Sequence, residues 1–330
     1  MNRKSCLYCY QPLIGEDLAT QAGDAGFHPS CSKKFFGTAA PPELPFTEND
    51  MLQLAEQVIK SHKTVTGVQP KLSLSIEKIK NSQFPERFTI VGLWGEYILK
   101  PQTEAFKHLP ENEDLTMHLA TLCGINTVEH SLISLKSGQL AYITKRIDRK
   151  TVSRKASAAR KLHMEDMCQL TERLTEHKYK GSYEQIAKII IRYSENPGLD
   201  AINFYEQVIF CFLTGNNDMH LKNFSLLKND GLNYTLCPAY DLVASALVLP
   251  EDDEELALTL NGKKKKLKKA DFDTAMLSAG IEQKAIDNIY RRFSNSQARW
   301  KDFIDISFLP EDMKVNFQEL INSRFDTLGL

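Results

Sequence analysis

The stretch Gly215-Asn216-Asn217-Asp218-Met219-His220-Leu221-Lys222-Asn223-Phe224 decides the fold of this chain. It follows Ile202 to Leu213, a long apolar segment with helical periodicity, and precedes a short apolar run that predicts a strand. Within it, Asp218 and Asn223 have the spacing D-x4-N, which puts a carboxylate and an amide on one short loop. Asx residues also cap helices and fill turns, so the motif by itself leaves both interpretations open.

In protein kinases, a D-x4-N spacing marks the catalytic loop. There the Asp accepts or orients the attacking hydroxyl, and the Asn reaches back to a magnesium ion. A second carboxylate, Asp241, follows a predicted short strand, where such enzymes place the Asp that binds magnesium between the phosphates. Asp218 is therefore a candidate catalytic base, and Asn223 and Asp241 are candidate magnesium ligands.

A candidate nucleotide-binding lysine, Lys100, ends the extended apolar segment that begins at Tyr97. From this position a kinase strand lysine reaches the nucleotide phosphates. Glu113, in the helix predicted from Glu111 to Cys123, is the candidate ion-pair partner that would hold the ammonium in place. A surface lysine at a strand end and a solvated glutamate near a helix start are the alternative interpretations.

The segment Thr64-Val65-Thr66-Gly67-Val68-Gln69-Pro70-Lys71 combines hydroxyls, one glycine and a lysine ahead of the first predicted strand. Such a loop can lie over phosphates, which makes Thr66, Gly67 and Val68 candidate nucleotide contacts. The segment contains neither G-x-G-x-x-G nor a Walker loop, and a plain turn into a strand is the competing interpretation.

Three of the seven cysteines, with one histidine, form a metal-site pattern near the start of the chain. Cys6-x2-Cys9 is followed by His28-x2-Cys31, and each pair can place two ligands around a tetrahedral zinc ion. Four protein ligands would leave no open position for a catalytic water, so the predicted role is structural. The alternative is a reduced CxxC pair with an unrelated histidine nearby. The other four cysteines stand alone in apolar patterns, which argues against a disulfide framework.

The order of the predicted elements indicates an α+β fold with two lobes. Extended segments dominate from about Thr64 to Lys145, and helical periodicity dominates the second half. The exceptions there are short strands and a predicted hairpin, Leu256 to Leu260 and Lys264 to Lys268, that turns on Asn261-Gly262. A Pro-rich joint ends the cysteine segment. The predicted domains are a zinc-finger-like segment at 1–40, a small strand-rich lobe at 41–148 and a larger, mainly helical lobe at 149–330.

Composition limits the classes of partner. With 41 Lys and Arg against 42 Asp and Glu, the formal net charge is -1, so no global basic field attracts nucleic acid or anionic membrane. No apolar run is long enough to cross a bilayer, and the start of the chain lacks a secretory apolar region. We expect a soluble, cytoplasmic protein. Two charge runs, Glu251 to Glu255 and Lys263 to Lys269, are predicted to be a solvated loop and a hairpin arm, or alternatively docking surfaces.

Seven segments taken in order resemble the HipA family of bacterial toxin serine/threonine kinases: TVTGVQPKLSL, YILKPQ, LPENEDLTMHLA, TKRIDR, LHMEDMCQL, GNNDMHLKNFSLL and PAYDLV. The resemblance covers about residues 45–330. It implies a bilobal, protein-kinase-like fold that uses ATP and Mg²⁺, with Lys100 on the phosphates, Asp218 as base, and Asn223 and Asp241 on magnesium. It also implies that a hydroxyl of the loop, Thr64 or Thr66, becomes autophosphorylated and that this modification shuts the kinase down.

The resemblance further implies a toxin of a toxin-antitoxin pair whose protein substrate is a translation component such as an aminoacyl-tRNA synthetase. The implied partner is a helix-turn-helix antitoxin, through which any contact with DNA would be indirect. The chain lacks the extra N-terminal subdomain of the common HipA toxin and in this is similar to the shortened HipT-type kinases, whose missing piece is a separate small protein.

The chain departs from the family pattern at two sites. Thr64 and Thr66 stand where family members commonly have Ser, and Asn216-Asn217 replaces the His-Arg pair that precedes the Asp in ordinary protein kinases. His220, two positions after Asp218, is similar to the arrangement in some lipid kinases. The alternatives to a toxin kinase are a catalytically silent pseudokinase that binds partners and a small-molecule kinase with the same fold.

Overall fold

The computed structural model describes residues 5–51, 53, 71–78, 86–91, 95–150, 160–228 and 233–330. The chain divides into two compact units. The first comprises Met1–Asp114 and Val128–Ala159, and the second comprises Leu115–Thr127 and Arg160–Leu330.

The first unit is built on a five-stranded antiparallel sheet in the order β2-β1-β3-β5-β4. Its strands are β1 (Leu72–Lys78), β2 (Glu86–Ile90), β3 (Tyr97–Pro101), β4 (His130–Ser134) and β5 (Leu140–Lys145), and β6 (Arg149–Lys150) follows. Helices α1 (Gln21–Asp24) and α2 (Pro29–Phe36) precede the sheet, and α3 (Leu109–Leu122) follows β3. The central strand β3 is almost wholly buried, because sheet partners flank it on both sides.

The N-terminal finger, which we define as residues 5–40, packs directly on this sheet. Phe36 contacts Phe88 and Phe35 contacts Tyr97, each with ring centroids 5.9 Å apart. The carbonyl of Leu7 also accepts a hydrogen bond of 3.2 Å from the backbone N–H of Leu132 on β4. The finger and the sheet therefore share one apolar core.

The second unit is mainly helical. Its described residues contain a three-stranded sheet in the order β10-β9-β8 and, beyond the end of α3, six further α-helices. The elements are β7 (Arg160–Lys161), β8 (Met164–Asp166), α4 (Met167–Leu170), α5 (Tyr183–Tyr193), α6 (Pro197–Thr214), β9 (Ser225–Lys228), β10 (Tyr234–Leu236), α7 (Lys269–Ser278), α8 (Gln283–Asp305) and α9 (Glu311–Leu328). Helix α6 is buried along nearly its whole length, with Phe210 packed edge-on against Trp300 of α8. A helix that is apolar on every side belongs in a core, and α6 forms the centre of this unit.

The two charge runs compensate each other. Lys264 pairs with Glu254 at 3.0 Å, Lys265 pairs with Asp253, and Lys263 pairs with Asp271 at 2.7 Å. A hairpin with regular strand arms was the wrong prediction here. The Asn261-Gly262 turn forms, with positive φ at both residues, but only the single bridge from Leu260 to Lys263 flanks it. Of these three lysines, two pair with the acidic run and Lys263 pairs with Asp271 of α7.

The predicted elements around the key positions form with small shifts at their ends. Helix α3 begins at Leu109 instead of Glu111. Strand β2 was not predicted, because its five residues include only two apolar ones, Phe88 and Ile90, which are too few to establish an alternation. Among the described residues, no helix is long and apolar enough to span a membrane.

Gly215 is expected to be necessary for the full stability of the second unit. It ends α6 with φ +66°, and a Cβ there would lie 2.6 Å from Cδ2 of Leu320 and 3.0 Å from Cβ of Ala246. We expect Gly215→Ala to lower the free energy of unfolding by about 1–3 kcal/mol, because the change adds both backbone strain and a close contact.

The matched control is Gly198→Ala in the first turn of the same helix, where a Cβ meets nothing within 4 Å. This change should leave stability unchanged or raise it slightly. Urea denaturation of the three proteins measures both effects. Equal stability of Gly215→Ala and the parent would contradict the expectation.

Candidate active site

In the first unit, Lys100 forms a buried ion pair with Glu113. The Nζ atom of Lys100 lies 2.5 Å from Oε1 of Glu113, and the two side chains are 5% and 3% exposed. Nζ also lies 5.3 Å from the ring centroid of Tyr142, the residue opposite Lys100 on β5. A buried charge pair is costly to assemble and costly to break, so its two partners hold each other in a fixed geometry.

The connection between β3 and α3 places Glu113 opposite Lys100. Gln102 follows β3, and its side-chain Oε1 accepts a hydrogen bond of 3.2 Å from the backbone N–H of Leu109, the first residue of α3. Its Nε2 donates back to the carbonyl of Phe106 at 2.6 Å. This one side chain therefore organises the connection and satisfies a backbone group that a helix start leaves unpaired.

In the second unit, the loop that carries Asp218 starts where Gly215 ends α6. The backbone N–H of Asp218 donates to Oδ1 of Asn216 at 3.2 Å. Asn217 is tied down separately, because its backbone N–H donates to Oγ of Ser245 at 2.9 Å and its Nδ2 donates to the carbonyl of Glu254 at 3.2 Å. The two asparagines ahead of Asp218 thus serve to shape the loop.

The carboxylate of Asp218 accepts a hydrogen bond from Tyr179. The phenol oxygen lies 2.5 Å from Oδ1, and the ring of Tyr179 packs edge-on against His220 with centroids 5.0 Å apart. Burial and the Asp218 carboxylate raise the pKa of Tyr179, which therefore remains a donor at neutral pH. Tyr179 was missed by the sequence analysis, because it lies 39 residues before Asp218 and no local pattern connects them.

Asn223 is oriented by the same loop. Its Nδ2 donates to the backbone carbonyl of Asp218 at 3.1 Å, which leaves the amide oxygen Oδ1 on the other side of the group. An oxygen is the atom that magnesium would bind, so the amide is fixed in the orientation that suits this ion.

Asp241 has φ +56°, a conformation that non-glycine residues seldom adopt and that clusters at functional sites. The preceding Tyr240 anchors it, because its hydroxyl lies 2.5 Å from Oγ of Ser225 and donates to the carbonyl of Lys222 at 3.1 Å. The Asn223 amide oxygen and the Asp241 carboxylate are both hard oxygen ligands, the type that magnesium prefers.

Lys222, on the segment that follows Asp218, forms an ion pair with Asp166. Nζ of Lys222 lies 2.7 Å from Oδ2 of Asp166, and Asp166 also caps α4 in a reciprocal capping box with Gln169. Neither residue was selected as a site residue from the sequence. The D-x-x-Q pattern of a capping box, Asp166 to Gln169, was the available signal for the helix start.

His220 is held neutral. It is buried, and burial lowers its pKa from 6.5 to about 4, although the Asp218 charge acts in the opposite direction. Within the described residues, Nδ1 of His220 and Nδ2 of Asn216 are buried without a hydrogen-bond partner. These two polar atoms lie in one loop, where ordered water or a ligand could pair with them.

The predicted autophosphorylation and nucleotide contacts Thr64, Thr66, Gly67 and Val68 lie outside the described residues. The four predicted zinc ligands Cys6, Cys9, His28 and Cys31 lie within them, and their ligand atoms are all within 4.8 Å of one another. All seven cysteines are free thiols, and the four isolated ones are buried.

Comparison with known proteins identifies the family. Residues 64–300 match the family described as HipA-like C-terminal domain, and the chain therefore belongs to this family. A Haemophilus influenzae protein named as a candidate kinase is 29% identical over 247 residues, which span 72% of this chain and 68% of that protein. The serine/threonine-protein kinase toxin HipA of Shewanella oneidensis is 28% identical over 61% of this chain, and the match spans about half of the toxin's length, 47%.

Two solved structures have the same fold. HipA from the Shewanella oneidensis complex of HipA, HipB and operator DNA has a TM-score of 0.67 at 21% identity and covers 83% of this chain and 70% of its own. The Helicobacter pylori proinflammatory kinase CtkA has a TM-score of 0.52 at 15% identity and covers 78% of this chain and 93% of its own. The predicted α+β, HipA-like fold and the predicted family are thus confirmed.

Neutral His220 predicts a pH dependence of stability. Between pH about 6.5 and about 4 the unfolded chain binds a proton at this position that the folded chain does not, so stability falls as the pH drops through this window. We expect His220→Gln to be less sensitive to acid than the parent across this range. Urea midpoints at several pH values, beside His163→Gln at an exposed histidine, measure the difference. Parallel curves for the parent and His220→Gln would contradict a low pKa.

Proposed function

We propose that this chain is an ATP- and Mg²⁺-dependent serine/threonine protein kinase that acts as the toxin of a toxin-antitoxin system. The observation that carries the proposal is the buried Lys100–Glu113 ion pair, in a chain of the HipA-like family that also contains the ordered Asp218 loop. A family member that had lost phosphoryl transfer would have no need to maintain a costly buried ion pair at this position.

The proposed roles follow from the chemistry of each group. Lys100, fixed by Glu113, neutralises oxygens of the nucleotide phosphates. Asp218 accepts or orients the hydroxyl of the substrate, using Oδ2 while Oδ1 is held by Tyr179. Asn223 and Asp241 would hold magnesium, which when bound supplies neutralisation of the phosphate charge. Because phosphoryl transfer requires little covalent chemistry from the protein, positioning and electrostatics supply the rate.

The toxin role, the substrate and the partner rest on the family. The relative in Shewanella oneidensis is named a toxin, and its solved structure is a complex with HipB and operator DNA. By analogy we propose a helix-turn-helix antitoxin as the partner of this chain and a translation component such as an aminoacyl-tRNA synthetase as its substrate. We also propose that Thr64 or Thr66 is autophosphorylated and that the modification stops activity.

The alternative function is a pseudokinase that only binds partners. Such proteins normally lack the lysine, the catalytic carboxylate or the metal carboxylate, whereas Lys100, Asp218 and Asp241 are all present here. The charge runs offered as docking surfaces are paired with each other, which weakens this alternative further.

The first test is intact-mass spectrometry after incubation with ATP and Mg²⁺. The parent should gain phosphate that maps to the peptide containing Thr64 and Thr66. Asp218→Asn should lose this activity by at least about a hundredfold, because the variant cannot accept the proton, and should still bind ATP.

Asp302→Asn, at an exposed carboxylate on α8, is the matched control and should behave as the parent. Phosphate uptake by Asp218→Asn at the parent's rate would overturn the assigned role. Failure of the parent to modify itself and to phosphorylate protein from a bacterial lysate would favour the pseudokinase.

Tyr179 is expected to position the catalytic carboxylate. Loss of its hydrogen bond in Tyr179→Phe should lower kcat about tenfold, the scale of one hydrogen bond to a charged group, with little change in KM for ATP. The control is Tyr193→Phe, where an exposed tyrosine of the same unit is changed. Initial rates at varied ATP separate kcat from KM. Unchanged or faster turnover in Tyr179→Phe would show that the phenol does not assist Asp218.

A further inference from the structure

Two separations between ligand atoms of the finger match those of a tetrahedral metal site. Nδ1 of His28 lies 3.4 Å from Sγ of Cys9 and 3.8 Å from Sγ of Cys31. With Zn–S near 2.3 Å and Zn–N near 2.0 Å, tetrahedral geometry places a sulfur and a nitrogen ligand about 3.6 Å apart. The two separations lie on both sides of this value, and all four ligand atoms lie within 4.8 Å of one another, so small side-chain adjustments would bring them around one ion.

The surroundings of the four residues also suit a metal. Nε2 of His28 lies 3.2 Å from the carbonyl of Pro12, and a hydrogen bond there keeps Nδ1 as the lone-pair atom that faces the thiols. The backbone N–H of His28 donates to Sγ of Cys6 at 3.4 Å, a contact that favours a thiolate. A tight turn holds the first pair, because the N–H of Tyr10 donates to the carbonyl of Cys6 at 2.9 Å.

We propose that Cys6, Cys9, His28 and Cys31 bind one structural zinc ion, and that the finger held by this ion positions the helix that carries Glu113. The thiols release their protons to solvent when the ion binds. The proposal of a zinc site is argued from the residues of the finger alone. The proposal that the finger positions the helix rests on the proposed kinase function only where it concerns ATP.

Tyr10 connects the finger to α3. It directly follows Cys9 in the turn, it has φ +63°, and its side chain is 1% exposed. A bulky residue in the left-handed region is costly, so the turn around the metal ligands must impose it. In this conformation the Tyr10 hydroxyl donates to Oδ2 of Asp114 at 2.8 Å.

Asp114 is the residue after Glu113. Its other oxygen, Oδ1, lies 2.6 Å from Nδ1 of His130 on β4, and the Asp114 side chain is fully buried. The carboxylate is thus held from two directions, by the finger and by the sheet. Because Asp114 and Glu113 share one helical turn, the bond from Tyr10 fixes the rotation and height of the helix at the point where Glu113 meets Lys100.

The finger shares its apolar core with the sheet. Three of its buried aromatic side chains, Phe27, Phe35 and Phe36, form one cluster, of which Phe35 and Phe36 face the sheet. A segment of this length cannot bury enough surface to fold alone. We expect zinc to stabilise the turn at Tyr10, and with it the hydrogen bond to Asp114, beyond what the backbone hydrogen bonds of the turn provide.

Metal analysis of the full chain, purified without added metal, tests the first part. We expect about one zinc per chain, and titration of the native protein with an organomercurial should release it to a chromogenic chelator. Cys31→Ser should lose the zinc, whereas Cys123→Ser should keep it, because Cys123 is a buried thiol that donates to the Ala120 carbonyl and serine preserves this bond. Parent protein with far less than one zinc would overturn the proposal, whatever the fate of the variants.

Hydrogen exchange of the peptide that covers Leu109–Leu122 tests the second part without any need for activity. Tyr10→Phe should retain zinc and exchange about tenfold faster in this peptide, because one hydrogen bond to a charged group is lost. Tyr8→Phe is the matched control: it also removes one hydroxyl from the finger, but that phenol interacts with Lys34. If the peptide exchanged equally fast in Tyr10→Phe and in the parent, the proposal that the finger positions this helix through Tyr10 would be wrong.

A double-mutant cycle tests whether the hydrogen bond from Tyr10 to Asp114 affects ATP binding through Glu113. If Tyr10 acts through Glu113, then Tyr10→Phe should raise KM for ATP in the parent but add no further loss in Glu113→Gln. Additive effects would overturn this route. If the parent shows no kinase activity while the zinc and exchange results hold, the proposed function fails and the zinc-held finger stands.

Discussion

The ion pair between Lys100 and Glu113 is the interaction on which the first unit depends. Two opposite charges, both nearly removed from water, remain stable only when neither can move away from the other. That requirement explains the surrounding arrangement: β3 lies at the centre of the sheet, Gln102 organises the short connection to α3, and Asp114 secures the same helical turn from the other side. In the second unit the equivalent constraint is the burial of α6. This helix is enclosed along nearly its whole length, so the start of the Asp218 loop at its end is fixed in position.

The elements that could be predicted from the sequence are those with a local sequence pattern. Helical periodicity located α6, alternation and apolar runs located β1, β3 and β5, and the D-x4-N spacing selected the loop that the structure shows to be unusually well tethered. Asn-Gly correctly predicted a turn at Asn261-Gly262. The prediction of its strand arms was wrong, since only one bridge, from Leu260 to Lys263, flanks the turn, and an Asn-Gly pair specifies the turn but not the length of the arms.

The contacts that could not be predicted all join residues distant in sequence. Tyr179 reaches Asp218 across 39 positions, and Tyr10 reaches Asp114 across 104. In both cases a tyrosine hydroxyl donates a hydrogen bond to a carboxylate. No local sequence pattern indicates which carboxylate a given tyrosine will contact. The finger was predicted as a separate segment ahead of the first lobe, whereas its side chains form part of the core of the sheet, which only the aromatic contacts reveal.

The left-handed backbone at Asp241 has a consequence for the role of its charge. Asn and Gly adopt this conformation more readily than other residues, so they are the replacements that the backbone tolerates best at this position. Each of them lacks the negative charge of a carboxylate. The backbone at this position would therefore accept Asn or Gly, so the negative charge of Asp241 is not required by the fold and is free to serve the proposed function.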